Sequence, residues 1–130
     1  MKKFLLFAFM LVTLACQTTD HNDGAFEEIA PEAFAQKMKD DGMVLLDVRT
    51  VEEFAEGHLE GAQQYDYYET ESFKSMLESL DKSKTYLIYC RSGSRSGNAM
   101  SMMQKMGFTS VYNLDGGILA WRAAGMPVIR

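Results

Sequence analysis

An apolar strand pattern that runs directly into a short polar loop and a helical pattern constrains the fold more than any other feature. Residues 85–89 are β-branched, aromatic or apolar throughout, which is typical of a strand buried on both faces of a parallel sheet. Apolar side chains in residues 98–106 have helical spacing. We therefore expect the intervening loop at the carboxyl edge of a parallel sheet, where α/β folds bind ligands.

The rest of the chain repeats this alternation of strand and helix. Apolar runs and helical spacing predict strands at residues 28–30, 43–46, 63–67, 85–89 and 110–114, and helices at 31–38, 51–55, 71–80 and 98–106. Parallel strands joined by helices have right-handed crossovers. The predicted fold class is therefore α/β, a doubly wound and mainly parallel five-stranded sheet with helices on both faces and residues 85–89 at its centre.

The loop combines a thiol with groups that bind anions. Main-chain N–H groups in a loop leading into a helix point inward, and the helix dipole adds positive charge. Both effects, together with two nearby arginines, are expected to lower the pKa of the Cys90 thiol and make it a nucleophile at neutral pH. The predicted catalytic residue is Cys90, and the predicted substrate-binding residues follow it: Arg91, Ser92, Gly93, Ser94, Arg95 and Ser96.

Three motifs together resemble the rhodanese family of sulfurtransferases. The first is the Cys90 loop. The second, within residues 46–62, contains hydrophobic-Asp-Val-Arg, Glu-Phe and Gly-His-x-x-Gly-Ala elements in that order. The third, residues 116–121, reads Gly-Gly-x-x-x-Trp. The resemblance extends over residues from about 27 to 130, so it covers the whole predicted domain.

This resemblance implies a persulfide on Cys90 that carries sulfur from thiosulfate or a related donor to cyanide or a thiol. Which loop arginine contacts the donor stays open; we assign Arg91 to the donor and give Arg95 a structural or anion-steering role. Asp47 and Arg49 end a strand near the active edge, where an ion pair would hold the neighbouring loops. No organic cofactor or metal is expected, because Cys90 and two separated histidines do not make a ligand set.

Two other functions use the same loop chemistry. Phosphotyrosine and dual-specificity phosphatases place five residues between cysteine and arginine, whereas this chain places four between Cys90 and Arg95. The shorter loop favours one sulfur atom or a small oxyanion, so a phosphatase or an arsenate reductase is the less favoured alternative. A sulfur carrier or partner-binding module without turnover is the other alternative, and the loop residues do not distinguish it from an enzyme.

Several other residues have a structural interpretation. His58, between glycine and leucine in a turn, is expected to bond to the main chain rather than act as a base. The methionines of residues 99–106 follow helical spacing and are interpreted as core rather than as a copper site. Trp121 is expected in the core. The roles of Tyr65, Tyr67 and Tyr68 stay open.

The first sixteen residues have the pattern of a bacterial lipoprotein signal. Lys2 and Lys3 precede an apolar stretch, residues 4–14, which is too short for a transmembrane helix but suits an export signal. Residues 13–16 then resemble a lipobox whose first position departs from leucine, so a plain secretory signal stays the alternative. We expect a signal peptide at 1–15, acylated Cys16 and a polar tether at 16–25, and a domain at 26–130.

Charge and cysteine count limit the partners. The whole chain carries 13 basic and 18 acidic side chains, and cleavage before Cys16 would remove two lysines and leave a formal charge of −7. Nucleic acid is therefore excluded as an expected partner. If Cys16 is acylated, Cys90 has no intramolecular disulfide partner. The expected location is outside the cytoplasm, on a membrane at the periplasmic or cell-surface side, with the oligomeric state open.

Substitution Cys16→Ala tests the lipoprotein interpretation. It removes both the acylation site and the cleavage signal, so the protein should accumulate in an unprocessed or mislocalised form. Membrane fractionation and intact-mass measurement of the wild-type protein and the variant provide the readout. A wild-type protein that is freely soluble and carries no acyl mass would contradict the interpretation.

Overall fold

Strands and helices alternate strictly along the described part of the chain. The structure is a computed structural model that describes residues 25–130. The strands are β1 (Ala25–Ile29), β2 (Val44–Asp47), β3 (Gln63–Gln64), β4 (Thr85–Tyr89) and β5 (Ser110–Leu114). The helices are α1 (Pro31–Lys37), α2 (Val51–Glu56), α3 (Thr70–Ser79), α4 (Ser94–Lys105) and α5 (Gly117–Ala123). The predicted signal peptide and Cys16 lie outside the described residues.

All five strands form one parallel sheet in the order β1–β5–β4–β2–β3. The central position belongs to β4, which the continuous apolar pattern predicted. Its alternate side chains enter different cores. Ile88 and Cys90 pack against α3 and α4, whereas Leu87 and Tyr89 pack against α1 and α5. The predicted doubly wound α/β fold is therefore confirmed.

Three element boundaries differ from the predictions by three residues or more, and the other predicted boundaries agree to within one residue. β1 starts at Ala25, three residues before the predicted strand at 28–30 and one residue before the predicted domain. β3 ends at Gln64 instead of residue 67, because the Asp66 carboxylate accepts the Tyr68 N–H at 2.9 Å and turns the chain. α4 begins at Ser94, four residues earlier than predicted, because Gly93 adopts a left-handed φ of 101° and caps it.

A buried ion pair joins the end of β2 to the segment before β3. Arg49 donates from Nη2 to Asp47 Oδ2 at 2.7 Å and to the Gly57 carbonyl at 2.7 Å. Asp47 is fully buried and Arg49 is 4% exposed. Arg49 donates three further hydrogen bonds to the same carboxylate, so the two charges compensate each other in the core.

Substitution Asp47→Asn should destabilise the domain by on the order of 3 kcal/mol, because it leaves the buried Arg49 charge uncompensated. Urea unfolding followed by the fluorescence of Trp121, the single tryptophan of the chain, measures this loss. Asp41→Asn is the matched control, since Asp41 is exposed and its change should stay within about 0.5 kcal/mol. Equal stability of the two variants would contradict the role given to this ion pair.

Candidate active site

Cys90 lies at the carboxyl end of the central strand. It directly follows β4, and residues 91–93 lead into the first turn of α4. The residue is only 1% exposed, so its thiol is held beneath the loop rather than displayed on the surface. A buried thiol surrounded by inward-pointing donors is an environment for a reactive anion.

Two donors lie within hydrogen-bond distance of the Cys90 sulfur. The Gly93 N–H donates to Sγ at 3.1 Å, and the Ser96 hydroxyl donates at 3.3 Å. The left-handed conformation of Gly93 turns its N–H toward the sulfur, and Ser96 is fully buried in the first turn of α4. The loop therefore supplies one main-chain donor and one side-chain donor to the same atom.

These donors decide the ionisation of the thiol. Burial raises the pKa of Cys90, but hydrogen bonds from the Ser96 hydroxyl and from the main chain of Ser96, Gly93 and Ser92 lower it by more. The net pKa is below the ordinary value for cysteine. The site therefore raises the fraction of thiolate, the nucleophilic form, above that of an ordinary cysteine.

Neighbouring elements hold the loop main chain in place. The N–H groups of Ile118 and Leu119 donate to the carbonyls of Cys90 and Arg91 at 2.9 and 3.2 Å. A Cβ at Gly117 would lie 2.6 Å from Ser92 N and closer still to the Arg91 carbonyl, so only glycine fits there. The start of α5 therefore packs directly on the loop.

Asn113, on β5, forms a hydrogen bond with the main chain of the Cys90 loop. Its Nδ2 donates to the Gly93 carbonyl at 3.1 Å and to Glu28 Oε1 at 3.3 Å, while its buried Oδ1 has no partner among the described residues. Sequence reasoning missed this residue. A polar side chain within an otherwise apolar strand was the available signal, because a buried amide needs hydrogen-bond partners.

Arg95 is committed to an ion pair with α2. Its guanidinium donates to the two carboxylate oxygens of Glu53 at 2.8 and 2.9 Å. The hydrogen bond from Arg95 lowers the pKa of Glu53 to about 2, against the opposing effect of burial. The Arg95 guanidinium also lies 5.1 Å from the ring centroid of the exposed Tyr68. Glu53 also completes the capping box of α2 with Thr50.

The other predicted loop residues are more accessible. Arg91, Ser92 and Ser94 are exposed, and Arg91 lines a cavity beside the loop. Arg91 is thus available to a ligand, whereas Arg95 is held by Glu53. Asp47 and Arg49 do not contact the sulfur, and their ion pair lies at the end of the adjacent strand β2.

Residues given a structural interpretation have structural contacts. His58 Nδ1 lies 3.0 Å from the Phe54 carbonyl, and its ring stacks on Phe54. Trp121 is buried and donates its indole N–H to the Pro127 carbonyl at 2.9 Å. Met103 lies in the core. Tyr67, whose role the sequence left open, packs edge to face on Phe73.

Within residues 25–130, no group of three or more His, Cys, Asp and Glu side chains is placed to hold a metal ion. No helix in the same part of the chain is long and apolar enough to cross a membrane.

Comparison with known sequences identifies close matches to the domain. The family described as "Rhodanese-like domain" matches residues 30–124. A protein named "Sulfurtransferase" from Allochromatium vinosum is 34% identical over 103 residues, which cover 78% of this chain and 94% of that protein. "Thiosulfate sulfurtransferase GlpE" from Pseudomonas putida is 34% identical over 98 residues, 75% of this chain and 86% of that protein. The match to an uncharacterized Synechocystis protein, at 35% identity, spans only 55% of that protein.

Solved structures show the same fold. A rhodanese-related protein from Thermoplasma volcanium superimposes with a TM-score of 0.68 at 25% identity, over 80% of this chain and 98% of that one. A Rhodopseudomonas palustris protein described as of unknown function and a possible tyrosine phosphatase has a TM-score of 0.65 at 28% identity, with 80% and 85% covered.

Substitution Ser96→Ala tests the donor set. Loss of the hydroxyl donor should raise the pKa of Cys90, so less thiolate is present at neutral and mildly acidic pH. The midpoint of the pH profile of Cys90 alkylation by iodoacetamide should shift to higher pH in the variant. At a pH above the midpoints of both proteins, the variant and the wild-type protein should react at the same rate. Ser94→Ala is the control, because Ser94 lies in the same loop and its side chain makes no hydrogen bond to Sγ. An unshifted profile for Ser96→Ala would contradict the assignment.

Proposed function

Because the chain belongs to the rhodanese-like domain family and matches proteins named sulfurtransferases, we propose that it is a sulfurtransferase acting through a persulfide on Cys90. The donor is thiosulfate or a related compound, and the acceptor is cyanide or a thiol. The observation that carries this proposal is the pair of donors aimed at Cys90 Sγ, the Gly93 N–H and the Ser96 hydroxyl.

In the first step the Cys90 thiolate attacks the outer sulfur of thiosulfate. A bond forms between Sγ and that sulfur, and the sulfur–sulfur bond of the donor breaks with its electron pair leaving on sulfite. Cys90 then carries a persulfide anion. No proton transfer is required, so the step needs hydrogen-bond donors rather than a general acid, and the loop provides donors.

In the second step the acceptor removes the outer sulfur. Cyanide or a thiolate attacks that sulfur, the bond to Sγ breaks, and the electron pair returns to Cys90 as thiolate. The lowered pKa of Cys90 makes it a good leaving group here as well as a nucleophile in the first step. Two sequential transfers predict ping-pong kinetics.

A phosphatase is the alternative favoured by one specific observation, the similarity to a protein described as a possible tyrosine phosphatase. Phosphoester hydrolysis by a cysteine needs an acid to protonate the leaving group. Residues 91–96 of the loop include no carboxylic acid and no histidine, so the loop supplies no such acid. Activity on an aryl phosphate above that on thiosulfate would favour the phosphatase.

We also propose that the domain is exported and held on a membrane by acylated Cys16. The support is the pattern of residues 1–16 in the sequence. Export would place Cys90, which is free and buried, in an oxidising compartment. A lone reactive thiol is unusual in an oxidising compartment unless it serves chemistry.

Substitution Cys90→Ser should abolish sulfur transfer and leave the fold intact, because a serine hydroxyl stays protonated at neutral pH and forms no persulfide. Thiocyanate formation from thiosulfate and cyanide measures turnover. Intact-mass measurement after thiosulfate treatment should show one added sulfur atom on the wild-type protein and none on the variant. Trp121 fluorescence and urea unfolding provide the folding control.

More than trace turnover by Cys90→Ser would overturn the mechanism. A wild-type protein that gains the sulfur atom but gives no multiple turnover with cyanide or a small thiol would instead identify it as a carrier. The two readouts therefore separate the enzyme from the non-catalytic alternative.

A further inference from the structure

A cavity of about 330 Å³ lies between α2 and α5, beside the Cys90 loop. Glu53 and Glu56 line it on the α2 side, and Ile118, Leu119 and Arg122 line it on the α5 side. Its volume is within the range of about 300–1,000 Å³ that small-molecule sites occupy. The cavity therefore has room for a molecule, whereas the loop itself holds one sulfur atom.

Residues that line this cavity form hydrogen bonds with the main chain of the Cys90 loop. Arg91, which follows Cys90, is part of its lining, and so are Ile118 and Leu119, whose N–H groups bind the carbonyls of Cys90 and Arg91. The cavity therefore lies directly beside the loop, and its lining includes the residue that follows the nucleophile in the chain.

The charges available to a ligand are predominantly positive. Of the charged lining residues, Arg49 is bound to Asp47 and Glu53 is bound to Arg95. Arg91, Arg122 and Glu56 form no ion pair within the part of the chain that the structure describes. Two guanidinium groups facing one carboxylate favour an anionic ligand.

Arg122 is exposed, and its guanidinium lies beside Gly57, the residue that follows α2. A Cβ at Gly57 would lie 2.7 Å from Arg122 Nη2, so the guanidinium packs against the glycine main chain. The Gly57 carbonyl is itself bound by Arg49. A guanidinium presents a planar set of donors that matches a carboxylate.

We propose that Arg122, with Arg91, binds the carboxylate of a small thiol that accepts sulfur from Cys90, an inference that rests on the proposed sulfur transfer. In a donor such as thiosulfate, the charged oxygens are close to the transferred sulfur, so they would stay within the loop. A carboxylate that reaches the cavity must be separated from the reacting sulfur by a short chain, as in a mercaptocarboxylic acid. Arg122 is therefore a specificity-determining residue for the acceptor.

The chemical step is the second half-reaction. The acceptor thiolate attacks the outer sulfur of the Cys90 persulfide, forming a new sulfur–sulfur bond, and the bond to Sγ breaks with its electron pair on Cys90. The products are the acceptor persulfide and the Cys90 thiolate. No oxidant or reductant is needed, because the sulfane sulfur moves from one thiolate to another.

The test isolates this half-reaction. The full protein is loaded with thiosulfate, freed of excess donor, and mixed with 3-mercaptopropionate or with the uncharged 2-mercaptoethanol. In Arg122→Gln, the concentration of 3-mercaptopropionate giving half-maximal transfer should rise about five- to tenfold relative to that of 2-mercaptoethanol. Arg122→Glu should raise this ratio further. Lys105→Gln, the same charge change at an exposed residue on the last turn of α4, should keep the wild-type ratio.

An unchanged ratio in both Arg122 variants, with the persulfide forming normally, would overturn the acceptor site alone. A higher requirement for thiosulfate in the loading step with an unchanged acceptor ratio would assign the cavity to the donor and also overturn the proposal. A wild-type protein that forms no persulfide, or passes no sulfur to cyanide, would overturn the proposed function and this inference with it.

Discussion

The close approach of α5 to the Cys90 loop is the constraint on which the site depends. Gly117 lets the main chain of α5 pack against Arg91 and Ser92, and the amides that follow it bind the loop carbonyls. With those carbonyls held outward, the Gly93 N–H is free to point at Sγ, where it helps to lower the pKa of Cys90. A single side-chain atom at position 117 would displace the loop and with it the donors.

The two arginines of the loop have different surroundings despite their nearness in sequence. Arg95 lies in the first turn of α4 and is bound by Glu53 across the sheet edge, which ties α2 to the loop. Arg91 precedes the helix and stays exposed at the cavity that also contains Arg122. Arg95 therefore makes a structural contact, whereas a ligand can reach the positive charge of Arg91. The proposed acceptor site depends on this difference.

Much of the fold could be predicted because strong local patterns matched the tertiary structure. The bounds of β4 and β5 agree with prediction, since apolar and β-branched runs are flanked there by clear breaks. The start of α4 was missed, because serine and glycine in residues 94–97 are poor helix formers and only the left-handed Gly93 reveals the cap. The strand at β3 was predicted, but its early end was missed, because a turn stabilised by the Asp66 side chain stops it.

By itself, the sequence determined the α/β class, the place of Cys90 after the central strand, and the family, because these follow from hydrophobic periodicity and from contiguous motifs. Only the tertiary structure decided which groups face the sulfur, which arginine is occupied, and that Asn113 and Arg122 belong near the site. Glu53 and Arg95 are 42 residues apart, and Arg122 meets Gly57 from a different helix. Such contacts depend on how the helices pack on the sheet, which no local pattern in the chain encodes.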